Sequence, residues 1–154
     1  MSISDFSNLD FFELGDRTSL ICADPSTTDK ARTTLKDLGY KSHTAETAEM
    51  AIERLRYTQY DVIIIDENFA GSSLHSNTLL GYLASLPMPQ RRHSFVCLIG
   101  SSFKTLDAMQ AFAHSVHVVM NPMDLPNLAP ILRKGTAEFE LLYKVYKDAV
   151  AEAK

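Results

Sequence analysis

The sequence predicts an α/β fold, a doubly wound five-stranded parallel sheet with helices on both faces, on three observations. Short runs rich in β-branched residues alternate with longer stretches of helical periodicity. Four of those runs are apolar at consecutive positions, as strands covered on both faces must be. The 154 residues fit one domain, expected to bury roughly 68–70% of its unfolded surface around one core.

The elements follow in order. Residues 1–16 form an N-terminal extension, and Phe6, Leu9, Phe11, Phe12 and Leu14 make it too apolar for a free tail, so it is expected to pack on the domain or on a partner. A central domain over 17–134 starts with a strand from Thr18 to Ala23. Pro25 to Leu38 reads as a helix with Asp24 as N-cap, Pro25 in its first turn and Gly39 as its stop, burying Ala31, Leu35 and Leu38. Tyr40 to Thr44 is a more polar strand, suited to a sheet edge. Thr47 to Tyr57 repeats the helical pattern with Met50, Ala51, Ile52 and Leu55 inward. Strands Asp61 to Asp66, Ser94 to Ile99 and Val116 to Met120 alternate with helices Ser76 to Leu86 and Thr105 to Ser115. Right-handed crossovers leave few topologies, and the flavodoxin-like strand order 2-1-3-4-5 fits best. Two prolines between Asp124 and Pro130 interrupt helix, which resumes from about Pro130. In a C-terminal helical extension over 135–154, Phe139, Leu142, Tyr143, Tyr146 and Val150 recur at helical spacing. That stripe either continues over the core or forms a surface for a homodimer.

Composition excludes several functions. An apolar share of 45%, a charged share of 22% and 6 Gly with 6 Pro describe a globular chain, not a disordered one. With 15 basic and 19 acidic residues the net charge is −4, and the densest basic run is Arg91-Arg92-His93, so nucleic-acid binding by counterion release is not expected. The first residues lack the positive charge of a secretory signal and no run spans a bilayer, so the expectation is a cytoplasmic protein without membrane contact. Cys22 and Cys97 lack the spacing of a zinc or redox site and read as buried, reduced thiols. Residues 23–27 lack the glycines of a dinucleotide or P-loop site. His114 and His117 straddle a helix–strand boundary, so they do not share a face as metal ligands would.

In an open parallel sheet, ligands bind outside the carboxyl ends of the strands near the switch in strand order. Asp24 and Asp66 end the first and third strands, neighbours in the expected order, so two carboxylates converge there. Such a pair repels unless a cation joins it, and oxygen-only ligation suits Mg²⁺. The structural alternative has Asp24 as a helix cap and Asp66 as a strand-end polar residue.

The segment Tyr60 to Asn68, preceded by the helical pattern of Ala48 to Leu55, resembles the receiver domain of bacterial two-component response regulators, and the likeness runs from about Ser19 to Arg133. It implies that Asp66 accepts a phosphoryl group from a histidine kinase and that Asn68 offers a backbone carbonyl to Mg²⁺, a weak site here with Asp24 and Asp66. The chain departs from that pattern. Strand one ends in Ala23-Asp24 instead of two acids. Gly100 stands where the family has a hydroxyl residue, unless a one-residue slip lets Ser101 serve. Asn121 replaces the lysine at the end of strand five, and Val118 the aromatic switch residue.

Those departures carry weight. Bound phosphate bears about −1.5 to −2 charges, and a contacting ammonium contributes roughly 4 kcal/mol of Coulomb energy at an effective dielectric of about 20, before desolvation. Asn121 supplies a dipole instead, and the missing acid weakens the cation that would offset charge during transfer. Phosphorylation is expected to be slow or absent. Without differential affinity for a phosphoryl group no population shifts, so the output is expected to be constitutive. The leading expectation is therefore a receiver-like signalling module, not an enzyme, with impaired phospho-acceptor chemistry, that binds a protein partner, a histidine kinase or a downstream signalling protein, through its last strand and helices. The alternative is a competent phosphorelay receiver using Asp66 and Mg²⁺.

Overall fold

The computed structural model describes residues 15–69, 77–91 and 93–152. The expected packing of Phe6 to Leu14, the helix start at Ser76 and the middle of the Arg91 to His93 run lie outside the described residues. The elements are β1 (Arg17–Cys22), α1 (Pro25–Asp37), β2 (Tyr40–Thr44), α2 (Ala48–Tyr57), β3 (Val62–Asp66), α3 (Thr78–Ser85), α4 (Met88–Arg91), β4 (Phe95–Ile99), α5 (Ala108–Ala113), β5 (Val118–Met120) and α6 (Leu128–Glu152), with a 3₁₀ segment over Pro122–Asn127. All strand pairs are parallel and the sheet runs β2-β1-β3-β4-β5, as expected.

Strand periodicity divides the core into two layers. Leu20, Cys22, Ile63, Ile65, Leu98 and Val119 face α2 and α3, where they meet Ala51, Leu79 and Leu83. Ile21, Val62, Ile64, Cys97, Ile99 and Met120 face α1 and α6, against Ala31, Leu35, Leu128 and Leu132. Each fully buried large aliphatic side chain contributes about 1.5–3 kcal/mol relative to exposure. Edge strand β2 pairs with β1 alone and carries the polar pattern expected of it. Its Ser42 meets Ser19 across the pair at 2.6 Å, so two buried hydroxyls satisfy one another.

Helix ends follow side-chain chemistry. Asp24, Thr47, Asn77 and Asp107 each cap a helix by accepting from backbone N–H groups of its first turn. Two expectations need correction. Met50 is 41% exposed, not inward, because Ala51 centres the buried face of α2 and Met50 lies about 100° round the helix from it. The helix expected from Thr105 to Ser115 is only Ala108–Ala113, since Leu106 adopts φ 68° and Asp107 starts the helix after it.

At the C-terminus α6 runs unbroken through Gly135. Pro130 falls in its first turn, where the missing N–H has no helical acceptor to lose. Gly135 lets the helix settle on β4: a Cβ there would lie 2.5 Å from Phe95 Cζ. The aromatic stripe divides. Phe139 packs on the core, with ring centroids 5.9 Å from Phe95 and 4.8 Å from His117, and Tyr143 meets it edge-on at 4.6 Å. Leu142, Tyr146 and Val150 are exposed beside it.

Candidate functional site

Asp24 and Asp66 do come together. Both line one cleft of about 670 Å³ at the carboxyl ends of β1 and β3, together with Asp29, Glu46 and Asn68. Among the described residues lining it there is no Lys or Arg. Asp24 also caps α1, Oδ2 accepting from Thr27 N at 3.4 Å, and the Thr27 hydrogen bond holds its carboxyl below the usual range against the opposing effect of burial. Cap and cleft roles thus coexist in one side chain.

Asp66 behaves oppositely. Half-burial raises its carboxyl above the usual range, the charges of Asp24 and Glu67 push it further, and the N–H of Asn68, donating to Oδ1 at 2.8 Å, opposes the rise. An acid so placed favours any cation or proton that relieves the repulsion. Two carboxylates and the Asn68 carbonyl are hard oxygen donors of the kind Mg²⁺ takes, so the residue types present fit that ion. Among the described residues, no cluster of three or more His, Cys, Asp or Glu is arranged to hold a metal.

The residue that sequence reasoning missed is Glu67. Next to Asp66, it is only 7% exposed, and its carboxylate turns onto the loop after β4. Oε1 accepts from Ser101 N at 3.2 Å and from Ser101 Oγ at 3.5 Å, and Oε2 accepts from Ser102 Oγ at 3.2 Å. Ser101 is thereby engaged by Glu67. At Gly100 a Cβ would lie 2.6 Å from Glu67 Cδ, so the glycine leaves room for this carboxylate. The pattern Gly-Ser-Ser after a strand, with an extra acid after Asp66, was the available signal.

Asn121 completes the loop arrangement. Its Nδ2 donates to the carbonyls of Ser101 (3.3 Å) and Phe103 (3.0 Å), and its Oδ1 accepts from Met123 N at 3.0 Å. Its backbone N–H donates to Thr105 Oγ1 at 2.9 Å, and that hydroxyl in turn bonds the Asp124 carboxylate. The amide therefore ties the loop after β4 to the end of β5. The position expected to carry a switch side chain, Val118, is buried in the sheet. Burial pushes the Cys22 and Cys97 thiols up to about 12, with Arg54 opposing it at Cys22, so both stay protonated, as expected of inert cysteines.

No protein-family model matches the chain, and no curated protein matches it. Solved structures do. A signal receiver domain assigned to a Luxo repressor protein from Vibrio parahaemolyticus superposes with a TM-score of 0.66 at 16% identity, over 86% of this chain and 98% of that one. A CheY-like response regulator receiver domain from Methylobacillus flagellatus gives 0.60 at 23% identity, over 79% and 99%. NtrX from Brucella abortus gives 0.65 at 15% identity, over 85% of this chain but 28% of that longer one. The structural neighbours are consistently response-regulator receiver domains, and at these identities the likeness establishes the fold: this chain has the receiver, CheY-like architecture. Among the described residues no helix is long and apolar enough to cross a membrane.

Proposed function

We propose that this chain is a cytoplasmic signalling module of receiver type that works by binding a protein partner, with its output conformation set by its own side chains and not by phosphorylation. The observation that carries this reading is the Glu67 carboxylate, which already takes the N–H and hydroxyl donors of the loop after β4. An anion arriving on Asp66 would find those donors occupied, and a ligand without differential affinity for two states shifts neither.

The face formed by α5, β5 and the following segment supports a binding role. Met109 is 74% exposed, Phe112 82% and Met123 87%. Several large apolar side chains in contiguous elements suit a protein partner such as a histidine kinase or a downstream signalling protein. The exposed side of α6 suits a second copy of the chain.

A second reading, a competent phospho-acceptor, is favoured by one observation: Asp66 lines an open acidic cleft beside Asp24. There Mg²⁺ would supply charge compensation for the transferring phosphoryl group. Asp24 and Asp66 would hold the ion, and an Asp66 oxygen would attack phosphorus as the donor's leaving group departs. Incubation with acetyl phosphate and Mg²⁺, or with beryllofluoride and Mg²⁺, separates the two. Unchanged intact mass and unchanged amide spectra under saturating reagent are expected; a phosphoryl mass increase lost in Asp66→Asn would establish the second reading.

A further inference from the structure

A second cavity, of about 330 Å³, lies at the opposite end of the sheet from Asp66, bounded by the end of α2, the start of β3 and β4, α4 and the segment before β5. Its floor is apolar, with Ile63, Leu83 and Val96 buried. Its polar lining has one sign of charge. Arg56 and Arg91 line it beside Gln59, Gln90 and Tyr82, and no Asp or Glu is among the described residues lining it, in a chain with more acids than bases.

Arg91 is anchored, and both arginines keep donors for a ligand. Arg91 Nη2 donates to the Ser115 carbonyl at 3.2 Å, one of the five N–H donors the group carries. Arg56 Nη1 stands 3.6 Å from Glu53 Oε2 on the exposed side of α2, beyond hydrogen-bonding distance and screened by solvent. The Arg91 charge is felt inside the wall of the cavity, where it adds to burial in holding His117 neutral.

Planar guanidinium groups bond carboxylate or phosphate in paired, parallel hydrogen bonds and stack on rings, while phenol and aliphatic floor cover an aromatic body. The volume is at the small end of ligand pockets, which run from about 300 to 1,000 Å³. We infer that this cavity is a binding site for a small aromatic anion, a planar ring carrying one carboxylate or phosphate group. The site is separate from the Asp24 and Asp66 cleft, so the inference does not depend on whether Asp66 is phosphorylated.

Titrating the full chain with salicylate and with 5′-AMP, while following backbone amide resonances, tests it and distinguishes the carboxylate from the phosphate source. Saturable shifts at Gln59, Gln90, Ser94 and Ser115 are expected with at least one probe, unaltered in Asp66→Asn. Arg91→Gln and the solvent-exposed Arg56→Ala should each weaken binding about tenfold. Equal binding of inorganic phosphate or of uncharged adenosine would overturn the inference, as would undiminished binding by a folded Arg56→Ala variant or a lack of shifts at those amides.

Discussion

Glu67 reaches the loop after β4 because residue 100 has no side chain: a Cβ there would also come within 2.8 Å of Phe103 Cε2. Gly100→Ser is thus expected to lower stability by about 1–3 kcal/mol through overpacking. Glu67→Ala should cost a similar amount, about 1–3 kcal/mol, by leaving the Ser101 N–H and two hydroxyls without their acceptor. In the double variant the new hydroxyl occupies the vacated space, so the losses should not add; denaturant unfolding of the four proteins measures the coupling, and strict additivity would show that residues 67 and 100 do not compete for one space. Asp66 offers a pH test. Its folded-state pKa is raised, by half-burial first and then by the Asp24 and Glu67 charges. The stabilisation from its protonated form is complete below the unfolded value and is lost as pH rises through the folded one, so at neutral pH ionised Asp66 weakens the fold. Asp66→Asn should raise the melting temperature at pH 7, and the gain should shrink as pH falls and the parent's carboxyl becomes protonated. A variant no more stable than the parent at pH 7 would refute the repulsion.

Packing between β4, β5 and α6 creates a titration of opposite sense. The His117 ring stacks on Phe95 at 5.2 Å and meets Phe139 edge-on, and its Nδ1 accepts from Val96 N at 3.0 Å. Burial, and then Arg91, lowers its pKa to about 4. For a base with a depressed folded pKa, the stabilisation is present above the unfolded value, about 6.5, and is lost as pH falls through the folded one. Stability should therefore fall by up to about 3 kcal/mol between about pH 6.5 and pH 4. His117→Asn, whose carbonyl can still accept from Val96 N, should be less stable at pH 7 but flatter across that range. An unchanged slope would place the acid sensitivity elsewhere. The same elements mark what the sequence made legible. Continuous apolar runs identified β1, β3 and β4, because strands covered on both faces need no polar positions, and the polar run from Tyr40 identified an edge. The shortness of α5 was not readable, because the positive φ of Leu106 is a property of the folded loop and leaves no signature in a leucine. Asp24 and Asp66 stood out as strand-end acids. Glu67 did not: an acid after a strand reads as solvated, and its partner Ser101 lies 34 residues away.

Across the whole molecule, α6 spans roughly 37 Å with its 25 residues, and among the described residues it meets the core through Leu128, Leu132 and Phe139, with the Tyr143 ring edge-on to Phe139. Beside and beyond them the helix exposes Leu141, Leu142 and Val145, each 67% exposed, followed by Tyr146 and Val150. An apolar helical side left in water is offset by burial against another molecule, at about 25 cal/mol per Å² of apolar surface removed from solvent before the costs of association. A second copy of the same helix offers a matching side by two-fold symmetry. Ending the chain after Tyr143 or Lys144, and not at Gly135, isolates the effect, because Phe139 and its contacts with Phe95 and His117 then remain. Sedimentation or light scattering should report a dimeric mass for the full chain, and a monomeric mass for the shortened chain and for the double variant Leu142→Asp/Val145→Asp. The double variant should keep its melting temperature at concentrations where the parent is monomeric, since neither side chain contributes to the core. A monomeric parent at high protein concentration, or a dimer that survives both changes, would assign this side of α6 to a different partner.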